Sequence, residues 1–322
     1  MSTFQTHGLH GYSVKFSPFS PNLLACVACQ QYGISGNAAL LIAEFDPELN
    51  LPVKIVHSAP APDGLFDVAW SELDPTVCCT ASGDGTVLVW NITKKEPVLV
   101  AKEHNKEVYC VDWSHGGNKN LVVSGSWDRL AKVWDMQAGK CINTFEGHFG
   151  VVYSTIWCPQ STETFASTSD GTARIWDLRS SHTPTQMIGA HETETLSCDW
   201  SKYDQNILVT GSVDCSVRVW DLRNTRHFLC QMLGHSYAVR RVRCSPFSAS
   251  CVASCSYDFT VRLWDFMKPQ GLSPLLETIS HHTEFVYGLD QSTFVPGLVA
   301  DCAWDEHIRI YRPNMLRNTS TT

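Results

Sequence analysis

The feature that most constrains this chain is a motif that recurs along nearly its whole length. Its clearest copy, Leu121–Asp135, has two short apolar runs joined by a polar turn at Asp128 and ends in Trp-Asp. Equivalent stretches, 42 to 47 residues apart, end near Phe45, Trp90, Trp134, Trp176, Trp220, Trp264 and Tyr311. This period, with a Trp-Asp ending, is typical of a β-propeller with four-stranded blades. The sequence therefore predicts an all-β, seven-bladed WD-repeat β-propeller with antiparallel blades.

The last repeat ends close to the end of the chain, so its blade lacks an outer strand. Residues near Thr3 to His7 are predicted to supply that strand from the N-terminus. This closure would remove the exposed edges that an open sheet presents. No Pro/Gly-rich linker interrupts the repeats, so residues 1–312 are predicted to form one domain and 313–322 a short C-terminal tail.

Polar and aromatic residues recur at fixed offsets, and we interpret them as a structural network within each blade. A buried Trp needs an acceptor for its indole N–H, a hydroxyl on the adjacent strand offers one, and a His can link that hydroxyl to the turn Asp. The fourth repeat slips by one residue, to Ser167, and the last repeat has Asp301 in place of the hydroxyl. The network comprises Thr80, Asp84, Trp90, His104, Ser124, Asp128, Trp134, His148, Asp170, Trp176, His191, Thr210, Asp214, Trp220, His235, Ser254, Asp258 and Trp264.

The recurring His, Asp and Ser also invite comparison with a hydrolase triad. A catalytic triad is needed once, whereas this set occurs about five times, so the structural interpretation is favoured. Cys26 and Cys29 form a lone C-x-x-C whose side chains would point to opposite faces of a strand. His281-His282 is interpreted as one structural histidine beside an exposed one. We predict no enzyme activity, no metal and no cofactor.

Composition narrows the class of partner and the cellular compartment. The net charge of −8 and the lack of a basic stripe argue against nucleic-acid binding and suit, weakly, a positively charged partner. The fourteen cysteines mostly lie in predicted strands and are interpreted as reduced, buried thiols. The N-terminus has no apolar signal segment, and no run is long enough to span a bilayer. The sequence thus predicts a soluble, intracellular protein.

Function is expected at positions that vary between repeats and face one end of the propeller. The residue before each turn Asp varies, as Gly83, Trp127, Ser169, Val213, Tyr257 and Trp304. An aromatic there is either a binding anchor or packs against a neighbouring loop. A second variable set begins the inner strands with Glu107, Val151, Glu194, Ala238 and Phe285, followed two positions later by Tyr109, Tyr153, Leu196, Arg240 and Tyr287, with Asp67 nearby. Acidic and aromatic residues at one end of the propeller's central channel favour, as the binding partner, a peptide that carries Arg or Lys together with Leu.

Several longer strings resemble one particular WD-repeat family, the receptors for the type-2 peroxisomal targeting signal. They include Gly64-Leu-Phe-Asp-Val-Ala-Trp-Ser71, Ser124-Gly-Ser-Trp-Asp128, Val152-Tyr-Ser-Thr-Ile-Trp157 and Ser254-Cys-Ser-Tyr-Asp-Phe-Thr-Val-Arg262. The likeness runs in order from His10 to Tyr311.

The resemblance implies a cytosolic cargo receptor that cycles to the peroxisome. Such receptors bind an N-terminal nonapeptide of matrix proteins: a basic residue, an aliphatic one, five variable residues, His or Gln, and an apolar residue. They act with a co-receptor, the long form of the type-1 signal receptor or a related peroxin, and reach the docking proteins of the membrane.

For such a cargo, Asp67, Glu107 and Glu194 are expected to accept positive charge, with Tyr109, Trp127, Tyr153, Tyr257 and Trp304 as apolar walls. Arg240 and Arg241 do not fit a purely acidic mouth. The alternatives are a WD-repeat scaffold, such as a substrate adaptor for a ubiquitin ligase, and a propeller enzyme, which is disfavoured because no polar cluster lies outside the repeat positions.

Overall fold

The computed structural model describes residues 1–116, 120–180, 183–269 and 271–316. Their strands form seven four-stranded antiparallel sheets. These residues contain 28 strands and two short 3₁₀ segments, Gln30–Gly33 and residues 314–316. The predicted seven-bladed propeller is thereby confirmed.

Blades one to three follow one another along the chain, each running from an inner to an outer strand. Blade one contains β2 (His10–Phe16), β3 (Leu23–Cys29), β4 (Ala38–Glu44) and β5 (Lys54–Ala61). Blade two contains β6 (Leu65–Trp70), β7 (Val77–Ser82), β8 (Thr86–Asn91) and β9 (Pro97–Lys102). Blade three contains β10 (Val108–Trp113), β11 (Leu121–Ser126), β12 (Ala131–Asp135) and β13 (Lys140–Phe145).

Blades four to six repeat this order. Blade four contains β14 (Ser154–Trp157), β15 (Thr164–Thr168), β16 (Thr172–Asp177) and β17 (Gln186–Gly189). Blade five contains β18 (Thr195–Trp200), β19 (Ile207–Ser212), β20 (Val217–Asp221) and β21 (Cys230–Met232). Blade six contains β22 (Val239–Cys244), β23 (Cys251–Ser256), β24 (Val261–Asp265) and β25 (Leu275–Ile279).

Blade seven joins the two ends of the chain. Its strands β26 (Val286–Gln291), β27 (Val299–Ala303) and β28 (His307–Tyr311) are completed by β1 (Ser2–Gln5). The pairing of β1 with β28 is antiparallel, with Ser2 opposite Ile310 and Gln5 opposite His307. The closing strand lies where the sequence predicted it, beginning one residue earlier and ending two residues earlier.

Burial along each strand follows from its place in the blade. Inner strands such as β6 are buried at every position, because neighbouring blades cover both of their faces. Outer strands such as β5 and β9 alternate between exposed and less exposed residues, because one face meets solvent. Apolar clusters between the blades form the core, and the blade-ending tryptophans lie in them.

The recurring polar residues form a chain of hydrogen bonds that is complete in blades three, five and six. In blade three, the Trp134 indole N–H donates to Ser124 Oγ at 2.8 Å, and His104 Nε2 lies 2.8 Å from the same oxygen. His104 Nδ1 lies 2.8 Å from Asp128 Oδ2. A neutral imidazole satisfies this arrangement, since it donates through Nδ1 and accepts through Nε2. The other two blades repeat it with Trp220, Thr210, His191 and Asp214, and with Trp264, Ser254, His235 and Asp258.

Blades two and four contain only part of this chain. In blade two, the Trp90 indole N–H donates to Thr80 at 2.9 Å, but this repeat has no histidine to link Thr80 to the turn Asp. Asp84 accepts a hydrogen bond from the Thr86 hydroxyl instead. In blade four, Trp176 and His148 both contact Ser167 Oγ, at 2.7 and 2.6 Å. His148 Nδ1 has no hydrogen-bond partner and does not reach Asp170. Burial, followed by the charge of Arg174, lowers the pKa of His148 to about 3.

In blade seven, Asp301 takes the place of the hydroxyl and Tyr311 takes the place of Trp. The buried Asp301 carboxylate contacts His282 Nε2 at 2.8 Å and His281 Nε2 at 2.9 Å, and it accepts the Tyr311 hydroxyl at 2.8 Å. His282 Nδ1 lies 2.8 Å from Asp305. The expectation that His281 is merely exposed is wrong, because its ring is hydrogen-bonded to Asp301 and largely covered.

The cysteines and the apolar runs match simpler expectations. All fourteen cysteines lie in the described ranges, and each is a free thiol. Cys26 and Cys29 belong to different apolar clusters, as expected for opposite faces of β3. Across the described residues, no helix has the length and apolar character needed to cross a bilayer.

Candidate functional site

The seven inner strands surround a central channel, and their side chains line it in layers. At the end where these strands finish, the second-last residue of each lines a cavity of ≈ 140 Å³: Lys15, Ala69, Asp112, Ile156, Asp199, Arg243 and Asp290. The charges of this layer are largely paired, with Lys202 2.9 Å from Asp199 and Arg243 3.5 Å from Asp290.

At the opposite end the channel is closed by a ring that we call the aromatic mouth. Its members lie four positions before the last residue of each inner strand and are Tyr12, Phe66, Tyr109, Tyr153, Leu196, Arg240 and Tyr287. The rings of Tyr12 and Phe66 lie 5.3 Å apart, those of Phe66 and Tyr109 5.5 Å, and those of Tyr109 and Tyr153 6.0 Å. Tyr287 closes the circle at 4.8 Å from Tyr12. Such distances are those of offset or edge-to-face aromatic pairs.

Arg240 fills the centre of the aromatic mouth. Its guanidinium lies 4.9 Å from the centre of the Tyr109 ring and 5.2 Å from that of Tyr287, and only 2% of the residue is exposed. Two of its nitrogens, Nε and Nη2, have no hydrogen-bond partner. Cation–π contacts of a desolvated guanidinium are worth about 2 kcal/mol or more. Arg240 therefore belongs to the floor of the mouth.

Asp67 lies below this ring and is unavailable to a ligand, which corrects the expectation that it accepts a ligand's positive charge. Its Oδ1 accepts two hydrogen bonds from Arg241, both at 3.0 Å, and one from the Ser13 hydroxyl at 2.7 Å. Burial by itself would raise the pKa of Asp67. The nearby positive charges, Arg241 first, and the Ser13 hydrogen bond together outweigh burial, so the pKa of Asp67 is lowered. The two arginines that did not fit an acidic mouth thus have internal partners.

The other predicted binding residues all lie at or just above the aromatic mouth. Glu107 is half-buried and Glu194 is exposed. Trp127 is 42% exposed, with its ring 6.1 Å from that of Tyr109. Tyr257 donates to the Tyr287 hydroxyl at 3.1 Å, and Trp304 stacks on Tyr287 at 4.7 Å. Of the two interpretations of the tip aromatics, packing therefore describes Tyr257 and Trp304, whereas Trp127 is free to contact a partner.

The sequence-based site omitted Tyr12 and Phe66, and it did not choose Arg240 or Tyr287 as binding residues, although both were aligned with Tyr109 and Tyr153. The signal for all four was present, because each lies at the same offset from the end of its strand as Tyr109 and Tyr153. Together the residues form an apolar floor with acidic side chains at its edge. This arrangement can bury the apolar face of a peptide and pair with its positive charges.

Comparisons with known proteins bear on the family. A family model described as "EIPR1 beta-propeller" matches residues 78–264, and one described as "WD domain, G-beta repeat" matches residues 53–91. A mouse protein named peroxisomal targeting signal 2 receptor is 53% identical over 312 residues, which cover 97% of this chain and 96% of the mouse protein. The chain belongs to the peroxisomal targeting signal 2 receptor family.

Other members of this receptor family match shorter parts of the chain. The human peroxisomal targeting signal 2 receptor is 52% identical over 164 residues, covering 51% of this chain and 50% of the human protein. The Saccharomyces cerevisiae receptor of the same name is 29% identical over 245 residues, covering 66% of this chain and 64% of the yeast protein. These matches do not favour the scaffold or ubiquitin-ligase adaptor alternative.

Proposed function

We propose that this protein is a cargo receptor that binds the type-2 peroxisomal targeting signal across the aromatic mouth. The observation that carries the proposal is the apolar floor with Glu107 and Glu194 at its edge, in a chain 53% identical over nearly its full length to a receptor named for that signal. The protein acts by binding and has no catalytic role.

The chemistry of the face suits a basic, amphipathic peptide. Tyr109, Tyr153 and Trp127 contact the aliphatic and apolar residues of the signal, while Glu107 and Glu194 pair with its basic residue. The half-buried position of Glu107 makes its charge less screened than that of a fully exposed carboxylate. Tyr257 and Trp304 hold the floor in place through their contacts with Tyr287.

Delivery requires partners beyond the cargo. The receptor captures cargo in the cytosol, binds a co-receptor peroxin such as the long form of the type-1 signal receptor, and reaches the peroxisomal docking proteins with it. The exposed side chains that surround the mouth, including Phe149 and Tyr237, are available for this second protein.

A fluorescence-anisotropy titration tests the proposal. A labelled nonapeptide of the type-2 pattern is titrated with the full chain, with and without the co-receptor, at several salt concentrations. We expect saturable binding that weakens with salt, and weaker, less salt-sensitive binding by Glu107→Lys. A peptide with its basic and apolar residues replaced by serine is the control. If folded protein binds neither alone nor with co-receptor, the receptor proposal is refuted.

A further inference from the structure

A second, smaller cavity lies in the central channel, between the aromatic mouth and the cavity of ≈ 140 Å³ at the other end. Its volume is ≈ 10 Å³, which is room for one small ion or one water molecule. The charged residues that line it are four cations and two carboxylates: Lys15, Arg240, Arg241, Arg243, Asp67 and Asp112. We call this space the inner cavity. Because Lys15 and Arg243 line both cavities, the two adjoin at the end opposite the mouth.

The arginines of the inner cavity carry hydrogen-bond donors without acceptors. All three are buried, and Arg240 Nε, Arg240 Nη2, Arg241 Nε and Arg243 Nε have no hydrogen-bond partner. Ser197, which also lines the cavity, accepts the Val242 N–H through its hydroxyl oxygen at 3.1 Å, and across the described residues its own proton has no acceptor. A buried donor without a partner is destabilising, and more so when it is charged. An acceptor in the inner cavity can therefore satisfy several donors at once.

The channel also contains more cations than carboxylates. Five Lys and Arg residues line the two cavities, against four Asp residues. They are Lys15, Lys202, Arg240, Arg241 and Arg243, and Asp67, Asp112, Asp199 and Asp290. Glu72, which lines only the larger cavity and is partly exposed, pairs with His115 at 3.0 Å. One positive charge is therefore in excess inside the channel.

The excess falls on Lys15 and Arg240, because the other three cations each contact an Asp carboxylate. These pairs are Arg241 with Asp67 at 3.0 Å, Lys202 with Asp199 at 2.9 Å and Arg243 with Asp290 at 3.5 Å. In the part of the chain that the structure describes, neither Lys15 nor Arg240 forms an ion pair. The remaining carboxylate, Asp112, accepts the Trp157 backbone N–H at 2.8 Å and pairs with neither cation. Burial, and then the charge of Arg243, lower the pKa of Lys15, so the carboxylates around this lysine do not fully compensate it.

We propose that the inner cavity binds one monovalent anion of the size of chloride, with Lys15, Arg240 and Arg243 as its ligands. A water molecule can satisfy the donors but leaves the charge in excess, whereas one monovalent anion satisfies the donors and offsets the charge. Carboxylates and phosphates are larger than the space of ≈ 10 Å³. The inference is independent of the proposed function. An anion below Arg240 also offsets part of the positive charge in the floor of the aromatic mouth.

Thermal unfolding of the full chain, followed by tryptophan fluorescence, tests the inference. Sodium chloride replaces sodium gluconate, whose anion is too large for the inner cavity, at constant ionic strength. A ligand that binds only the folded protein raises stability with the logarithm of its concentration. For 322 residues, we expect the unfolding midpoint to rise by about 2 °C for each tenfold increase in chloride above its dissociation constant, and bromide to act in the same way.

The principal variant is Lys15→Met, which removes an unpaired charge while keeping a side chain of similar length. We expect its midpoint to be independent of chloride at constant ionic strength. Lys132→Met is the matched control, because Lys132 is a buried lysine, 3.6 Å from Glu103, that lines neither cavity. This control should keep the rise of about 2 °C per tenfold increase. Effects of the salts on the protein surface act on both variants alike, so the difference between them reports the site.

The inference is overturned if the wild-type midpoint does not depend on which anion is present, since the inner cavity then holds only water. Equal chloride dependence in the wild type and in Lys15→Met would also overturn it. Should Lys15→Met fail to fold, Arg240→Met takes its place in the same titration. A crystal soaked in bromide decides independently: an anomalous peak between Arg240 and Lys15 locates the anion, and the absence of a peak there rejects the site.

Discussion

The histidine of blade seven should make the stability of the propeller depend on pH above neutrality. In blades five and six a hydroxyl can donate to His Nε2, which leaves the ring neutral, and burial lowers the pKa of His191 and His235. Asp301 has no proton to donate, so His282 must donate from both nitrogens and carry a charge. Burial by itself would lower the pKa of His282. The Asp301 and Asp305 carboxylates outweigh burial and raise this pKa from 6.5 to about 9.

The size of the effect follows from that difference in pKa. One pKa unit corresponds to about 1.4 kcal/mol, so the protonated ring contributes on the order of 3 kcal/mol to the free energy of unfolding. The folded pKa lies above the unfolded one. The contribution is therefore fully present below pH 6.5 and declines as pH rises through about 9.

Urea denaturation followed by tryptophan fluorescence, at intervals from pH 6 to 10, measures this decline. Asp301→Ser restores the hydroxyl of the other blades, and its unfolding midpoint should fall less between pH 6.5 and 9 than that of the wild type. Ser254→Ala in blade six is the control, since it should lower the midpoint by a similar amount at every pH. Parallel curves for the wild type and Asp301→Ser would refute the charged state of His282.

Three further predictions concern other buried and exposed groups. Arg241→Met should lower the free energy of unfolding by about 3–5 kcal/mol, because it leaves the Asp67 carboxylate buried without its partner. Adding Asp67→Asn should recover part of this loss in the same urea measurement, and a double variant whose loss is the sum of the two single losses would contradict the pairing. His104→Leu should lower the free energy of unfolding by about 1–3 kcal/mol more than His148→Leu, because of these two only His104 has hydrogen-bond partners on both ring nitrogens. Equal shifts of the urea midpoint for the two variants would contradict this prediction. Trp127→Ala should weaken binding of the signal peptide by at least about tenfold with little change in the unfolding midpoint, because the ring is 42% exposed, and unchanged affinity would remove Trp127 from the site.

The fold could be predicted from the sequence because each blade restates the same local rules. The Trp, hydroxyl and Asp positions are tied to one another within a single hairpin. The spacing of the Asp to the blade-ending aromatic is the same in six repeats, and that of the hydroxyl to the Asp is the same in four. The closing strand was predictable for a different reason: the count of strands leaves one missing, and the N-terminus supplies it.

The site was harder to predict, because its residues meet across blades. Asp67 looked like a rim acid, yet its partner Arg241 lies four blades further along the chain, where no local pattern connects the two. The aromatic mouth shows the same limit, since the role of Arg240 depends on Tyr109 and Tyr287 lying on either side of it.

The pairing of β1 with β28 has a consequence for the folding of the ring. Ser2–Gln5 pairs with His307–Tyr311, which comes after all the other strands in the sequence. Until these two segments pair, blade seven is incomplete, and the other blades remain an open arc with a free edge at each end. A chain that stops a few residues before Tyr311 should therefore lose closure even though nearly all of its blades are intact.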